Sequence, residues 1–151
     1  MKKASLILSL SFLMVFAPDI MGQAKLKIEI SNIRSGDGQI IISIFNSPDQ
    51  FPRNAPEKWS NIKIKKNKLK DKTLEYNINT LPPGQYAIAL LDDENNSGDM
   101  EYSKLGIPKE GYGFSNDAKP LLSRPPYKKC LFEIGEGANV HKIKVRYKKM
   151  P

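Results

Sequence analysis

The chain has 151 residues, a net charge of +8, one cysteine and one histidine. A single cysteine excludes an intramolecular disulfide, and one Cys with one His excludes a zinc centre of the Cys/His type. The basic residues are scattered, mainly over 63–72 and 128–149. The pattern reads as solubility and attraction to an anionic cell surface, with no nucleic-acid partner.

Met1, Lys2 and Lys3 make a short basic start, residues 4–17 are apolar or hydroxylated, and small residues follow at Gly22 and Ala24. That order is the order of a secretory signal peptide cleaved near Ala24. The apolar run is shorter than the ~20 residues a bilayer span needs, so no transmembrane segment is expected in the mature chain. Residues 1–24 are therefore expected to be removed, leaving 25–151 as one periplasmic or secreted domain.

Residues 25–33 alternate, with Leu26, Ile28 and Ile30 on one side and Lys25, Lys27 and Glu29 on the other. This predicts a strand with one wet face. Ser35-Gly36-Asp37-Gly38 is turn chemistry, and 39–45 is apolar on both faces, so the two strands are expected to form a hairpin. Pro48, Pro52 and Pro56 break up 46–61, where Phe51 and Trp59 read as anchors on the core. Ile62 and Ile64, then Leu74, Tyr76 and Ile78, mark two more strands joined by a lysine-rich turn that reads as a solvated hairpin tip. Leu81-Pro82-Pro83-Gly84 is a tight turn before another strand buried on both faces, 85–91. No period follows until 129–134 and 140–147, the last two strands. In the latter His141, Ile143, Val145 and Tyr147 share a face. Cys130 reads as a small core hydrophobe. Seven strands without a helix predict an all-β fold, a single antiparallel Greek-key β-sandwich with one long loop.

That loop carries the chemistry. From Asp93, the side chains of Asp93, Asn95, Ser97, Asp99 and Glu101 fall where a calcium loop places its oxygen ligands, with Gly98 at the sharp turn. Position 12 holds Lys104 where a bidentate glutamate is expected, and Glu110 and Asp117 are both open as a distant further ligand. Such a site would be weak, on the order of 10⁻⁴ to 10⁻³ M. The alternative is a polar loop held by Asx turns. Residues 106–116 bring three glycines together with Tyr112 and Phe114, a candidate ligand surface with Glu110 and Asn116. The same rings can instead fold back over the sandwich edge. Catalysis has little to build on. The loop carboxylates Asp92, Asp93, Glu94, Asp99, Glu101 and Glu110 are expected to lack the apolar setting that separates an acid from a base, and no nucleophile elbow occurs.

The segments LPPGQYA (81–87), DEN (93–95) and GIPKEGYGFSN (106–116) resemble a family of secreted bacterial proteins, domain of unknown function 2141. Asn95-Asn96-Ser97-Gly98 departs from that family's usual Asn-Gly-Asn-Gly. The Pro-Pro-Gly-Xaa-Tyr turn is more loosely similar to that of transthyretin-like and carboxypeptidase-regulatory sandwiches, and the family resemblance implies a transthyretin-like or immunoglobulin-like β-sandwich. The resemblance implies export and fold and no activity. The expectation is a non-catalytic binding or structural module, with a protein or glycan partner at the cell envelope. A carbohydrate-binding module and a hydrolase using the loop carboxylates are the alternatives.

Overall fold

The computed structural model describes residues 24–120 and 124–148. The signal-peptide segment lies outside them except for Ala24, which opens the first strand, fully buried between Leu81 and Gly137. Among the described residues no helix is long and apolar enough to cross a membrane.

Alternation makes the strands. In β1 (Ala24–Ser31), Leu26, Ile28 and Ile30 are buried and the residues between them are not. β2 (Gln39–Phe45) and β5 (Gly84–Asp93) are apolar on both faces, as expected for the middle of a covered sheet. Between them in sequence lie β3 (Ile62–Lys65) and β4 (Leu74–Leu81). After β5 come β6 (Gly111–Phe114), β7 (Phe132–Ile134) and β8 (Gly137–Lys144). Eight strands form two sheets, one ordered β4-β1-β8 and the other β3-β2-β5-β6, with β7 also on β5. The all-β sandwich is as the pattern predicts.

The connections differ from expectation. β1 and β2 lie in different sheets, as do β3 and β4, so neither pair is a hairpin. The expected antiparallel rule fails once, where β1 and β8 run parallel over eight rungs. A parallel neighbour is possible because β8 is reached by a short turn from β7 in the other sheet, so no hairpin joins it to β1. The sheets face each other across Ile28, Ile30, Leu74 and Ile143 from one, and Ile40, Ile42, Ile44, Ile88 and Leu90 from the other.

Alternate residues of β2 and β5 point away from this core. The outer face of the larger sheet has its own cluster, in which Phe45, Ala87, Cys130 and Ala118 meet Phe51. Phe51 packs edge-on to Phe45 at 5.2 Å and to Tyr127 at 5.7 Å. Cys130 ends the short helical turn Tyr127–Cys130 rather than sitting in a strand. It is fully buried, and burial pushes its thiol up to about 11. Trp59 anchors the 46–61 connection on the inner core, edge-on to Tyr86 at 5.6 Å. The Tyr86 hydroxyl donates to the Pro82 carbonyl at 2.8 Å and so fixes the turn between β4 and β5.

β6 escaped sequence periodicity because its inward residues are glycines. A Cβ at Gly111 would stand 2.4 Å from Tyr147 Cε1 and 2.6 Å from Val145 Cγ1, and one at Gly113 would stand 2.8 Å from Ile143 Cγ2. Gly111→Ala is expected to destabilise the chain by about 1–3 kcal/mol in denaturant unfolding. Gly36→Ala, where a Cβ meets nothing within 4 Å, is the neutral control.

Candidate functional site

One end of the sandwich holds a buried ionic network. Lys66 follows β3, and its fully buried side chain pairs with Asp92 Oδ1 near the end of β5. Its ammonium also donates to the carbonyls of Asp37 at 2.6 Å and Ser35 at 3.2 Å. Asp92 Oδ2 accepts the Tyr147 hydroxyl, whose oxygen accepts the Arg34 backbone N–H at 2.9 Å. The Arg34 guanidinium lies 4.5 Å from the Tyr147 ring centre and grips Glu94 with Nε at 2.9 and 3.1 Å from its two oxygens. Burial pushes the Asp92 carboxyl above the usual range, while Lys66 and Tyr147 draw it back. Burial and Asp92 together push the Tyr147 phenol up. The apolar setting expected to be missing from the loop carboxylates is thus present at Asp92. Both of its oxygens face fixed partners.

The loop after β5 is built on two carboxylates that accept backbone N–H groups. Asp93 is fully buried. Its Oδ1 accepts the Ser97 N–H at 2.9 Å, and its Oδ2 accepts Gly98 N–H at 3.0 Å and Gln39 Nε2 at 2.7 Å. Asn95 Oδ1 also accepts Ser97 N–H, and Ser97 Oγ donates to the Asp99 carbonyl at 3.0 Å. Glu110, 5% exposed, accepts the N–H groups of Glu94 and Glu101 at 3.2 and 3.3 Å. Burial raises its pKa, and those two bonds oppose the rise. Glu101 turns outward to Asn95 Nδ2 at 3.2 Å and Lys109 at 3.8 Å. Of the five candidate calcium ligands, Asp93, Asn95 and Ser97 therefore bond within the loop, and Asp99 is exposed. Among the described residues no group of three or more His, Cys, Asp or Glu side chains is placed to hold a metal ion.

The four residues expected to meet a ligand separate into two pairs. Tyr112 and Phe114 point outward from β6 and, with Ile41 and Leu91, line a groove of about 920 Å³ on the outer face of the larger sheet. Pairing sets the order. Lys63 stands opposite Ile41, Ile41 opposite Leu91, Leu91 opposite Tyr112, and Tyr112 opposite Arg146. Met100, Tyr102 and Pro108 of the long loop form one wall, and Arg53, Arg124 and Lys148 stand around it. Glu110 and Asn116 serve the framework instead. Asn116, at φ 59°, donates through Nδ2 to the carbonyls of Lys129 and Leu131, and its N–H goes to His141 Nε2 at 3.2 Å. His141 stacks on Phe132 at 3.9 Å, and burial lowers its pKa against the pull of Asp117. Ser115 accepts the Ile88 N–H at 2.9 Å and donates to the Cys130 carbonyl, filling the gap along β5 between β6 and β7. Nothing in the sequence pattern marked Lys66, Arg34 or Ser115 for these roles.

A family model for uncharacterised proteins conserved in bacteria, DUF2141, matches residues 28–142. The chain belongs to this family. No curated protein and no solved structure matches it. The DUF2141 match takes in seven of the eight strands whole or in large part, together with the loop and β6, so the network and the groove floor both fall largely inside it.

Lys66→Met leaves Asp92 buried without its cation and is expected to cost about 3–5 kcal/mol in urea unfolding, with part recovered in Lys66→Met/Asp92→Asn. A loss under ~1 kcal/mol would mean that water reaches the pair. Asp93→Asn weakens the acceptor of two loop N–H groups and is expected to cost about 1–3 kcal/mol in chelator. The same melts in ~10 mM calcium separate the loop's two descriptions. A midpoint that rises in the native chain but not in the variant assigns the loop a cation; an unchanged midpoint leaves it held by its own backbone.

Proposed function

We propose that this chain is an exported, non-catalytic binding module whose partner surface is the groove across β2, β5 and β6. Export rests on the basic-then-apolar start of the sequence. The observation that carries the binding reading is where apolar groups meet water. Among the described residues three large hydrophobic side chains are exposed, and two of them, Tyr102 at 59% and Leu105 at 77%, lie on the loop beside the groove. Tyr102 lines the groove itself. Apolar groups left in water beside a concave apolar floor are the usual mark of a docking site.

The groups able to do chemistry support a non-catalytic role because they hold the fold. Asp92 and Tyr147 face each other in the buried network, His141 is stacked and bonded to Asn116, and Cys130 is sealed beneath the outer cluster. A general base has to reach the proton it removes, and these groups already have fixed protein partners.

The dye 1-anilinonaphthalene-8-sulfonate is expected to bind the native chain saturably, with enhanced fluorescence. Leu91→Glu, which puts a carboxylate in the groove floor, is expected to weaken it at least fivefold with an unchanged circular dichroism spectrum. Val140→Ser, at the exposed hydrophobic residue away from the loop, is expected to leave it unchanged. No enhancement, or equal binding by Leu91→Glu, would remove the groove as a binding surface.

A further inference from the structure

The charge around the groove is one-sided. Its lining holds three cationic side chains, Arg53, Arg124 and Lys148, against one carboxylate, Asp99. The rung through its floor reads Lys63, Ile41, Leu91, Tyr112, Arg146, with Lys63 exposed at one end and Arg146 donating to the Asp117 carbonyl at 3.3 Å at the other. Adjacent strands lie about 4.8 Å apart, which makes this rung about 19 Å long, the length of about six extended residues. Lys63, Arg53, Arg124 and Lys148 are exposed and none of them has a salt-bridge partner among the described residues.

We infer that the groove takes an extended acidic segment of a partner protein, with apolar side chains seated on Leu91 and Tyr112, above the buried Ile41, and carboxylates reaching the cations around them. The inference rests on the groove being the binding surface, as proposed above, and adds the chemistry of the occupant. Spatially separated cations suit several carboxylates spread along a chain, whereas a single-headed amphiphile needs them gathered at one end. The floor is largely aliphatic, and the Tyr112 and Phe114 rings are tilted 57° to each other at 6.2 Å. They offer side-chain crevices and not a common plane for a sugar ring. The groove lies on a sheet face rather than a strand edge, so recognition runs through side chains and not through added ladder hydrogen bonds.

The test uses fluorescein-labelled peptides of alternating leucine and glutamate, and of alternating leucine and glutamine, titrated with the purified chain and followed by anisotropy. The expected result is binding of the glutamate peptide at least tenfold tighter than the glutamine peptide, weakening as salt rises. Arg53→Glu/Lys148→Glu is expected to weaken it at least tenfold, and Lys68→Glu/Lys70→Glu, equally charge-reversing but on the turn before β4, to change it less than twofold. Equal binding of the two peptides overturns the acidic chemistry while leaving the groove in place. Binding of polyglutamate as tight as that of the leucine-containing peptide, or equal losses in both double variants, reduces the effect to net charge and overturns the inference. Tighter binding of a sulfated polysaccharide or of vesicles with anionic lipid at the same groove, judged by loss in Arg53→Glu/Lys148→Glu, overturns it in favour of that ligand. Failure of both peptides while the dye still binds rejects the occupant alone; failure of peptides and dye rejects the groove as well.

Discussion

The ammonium of Lys66 is where the two sheets are joined at one end of the sandwich. It sits on the passage from β3 to β4, donates to the carbonyls of Ser35 and Asp37 in the β1–β2 connection, and pairs with Asp92 on β5. Asp92 in turn holds Tyr147, beyond β8. Two connections, β5 and the C-terminal segment are thereby tied to one buried cation. A lone buried charge is severely unfavourable, and here the Lys66 ammonium has Asp92 and two carbonyls while Asp92 has Lys66 and the Tyr147 hydroxyl. That requirement constrains the neighbours. Gly38, at φ 73°, must be free of a side chain because a Cβ there would stand 2.0 Å from the Asp93 carbonyl oxygen. The network continues through Tyr147 and Arg34 to Glu94, and from the Glu94 N–H to Glu110, where it meets the long loop.

At the sheet's outer face the constraint is the alternation in Gly-Tyr-Gly-Phe. With glycine inward at 111 and 113, Ile143, Val145 and Tyr147 approach β6 closely. The rings at 112 and 114 then have only the outside to occupy. Phe114 is drawn toward Phe51 at 6.0 Å, into the cluster that covers one half of this face. Tyr112 stays in the half that forms the groove. The same four residues therefore close the core on one side and line the groove on the other.

Much of the fold was legible because burial follows simple periods. The faces of β1, β2 and β5 and the anchoring of Phe51 and Trp59 follow from the period of two and from residue size. Which strand pairs with which was not legible. Alternation says which face is buried and nothing about which sheet receives a strand, so β1 and β2 read as a hairpin although they lie across the core from each other. Lys66 was hidden for a related reason. In a run of lysines composition gives each the same reading, and only the return of Asp92 and the 35–37 carbonyls singles one out. Of the candidate site, the outward placing of Tyr112 and Phe114 was legible in the alternation of glycine and aromatic. The backbone bonds of Glu110 and Asn116 were not legible, because a carboxylate and an amide serve a backbone as readily as a ligand.

The acidic loop and the groove are parts of one arrangement. Asp93 and Glu110 hold the two ends of the loop by accepting N–H groups, so the loop's shape is set from inside. The Tyr102–Pro108 bridge then closes its tip, with Ser103 accepting from Leu105 and Ile107 through its hydroxyl. A tip fixed in this way keeps Tyr102 and Leu105 in water, where an unbraced loop would fold them onto the nearby apolar floor. In the proposed role such bracing would lower the entropy lost on binding, because the wall of the groove is already in place. The buried carboxylates of this family member therefore bear on the groove indirectly, through the geometry of the loop residues they hold exposed beside it.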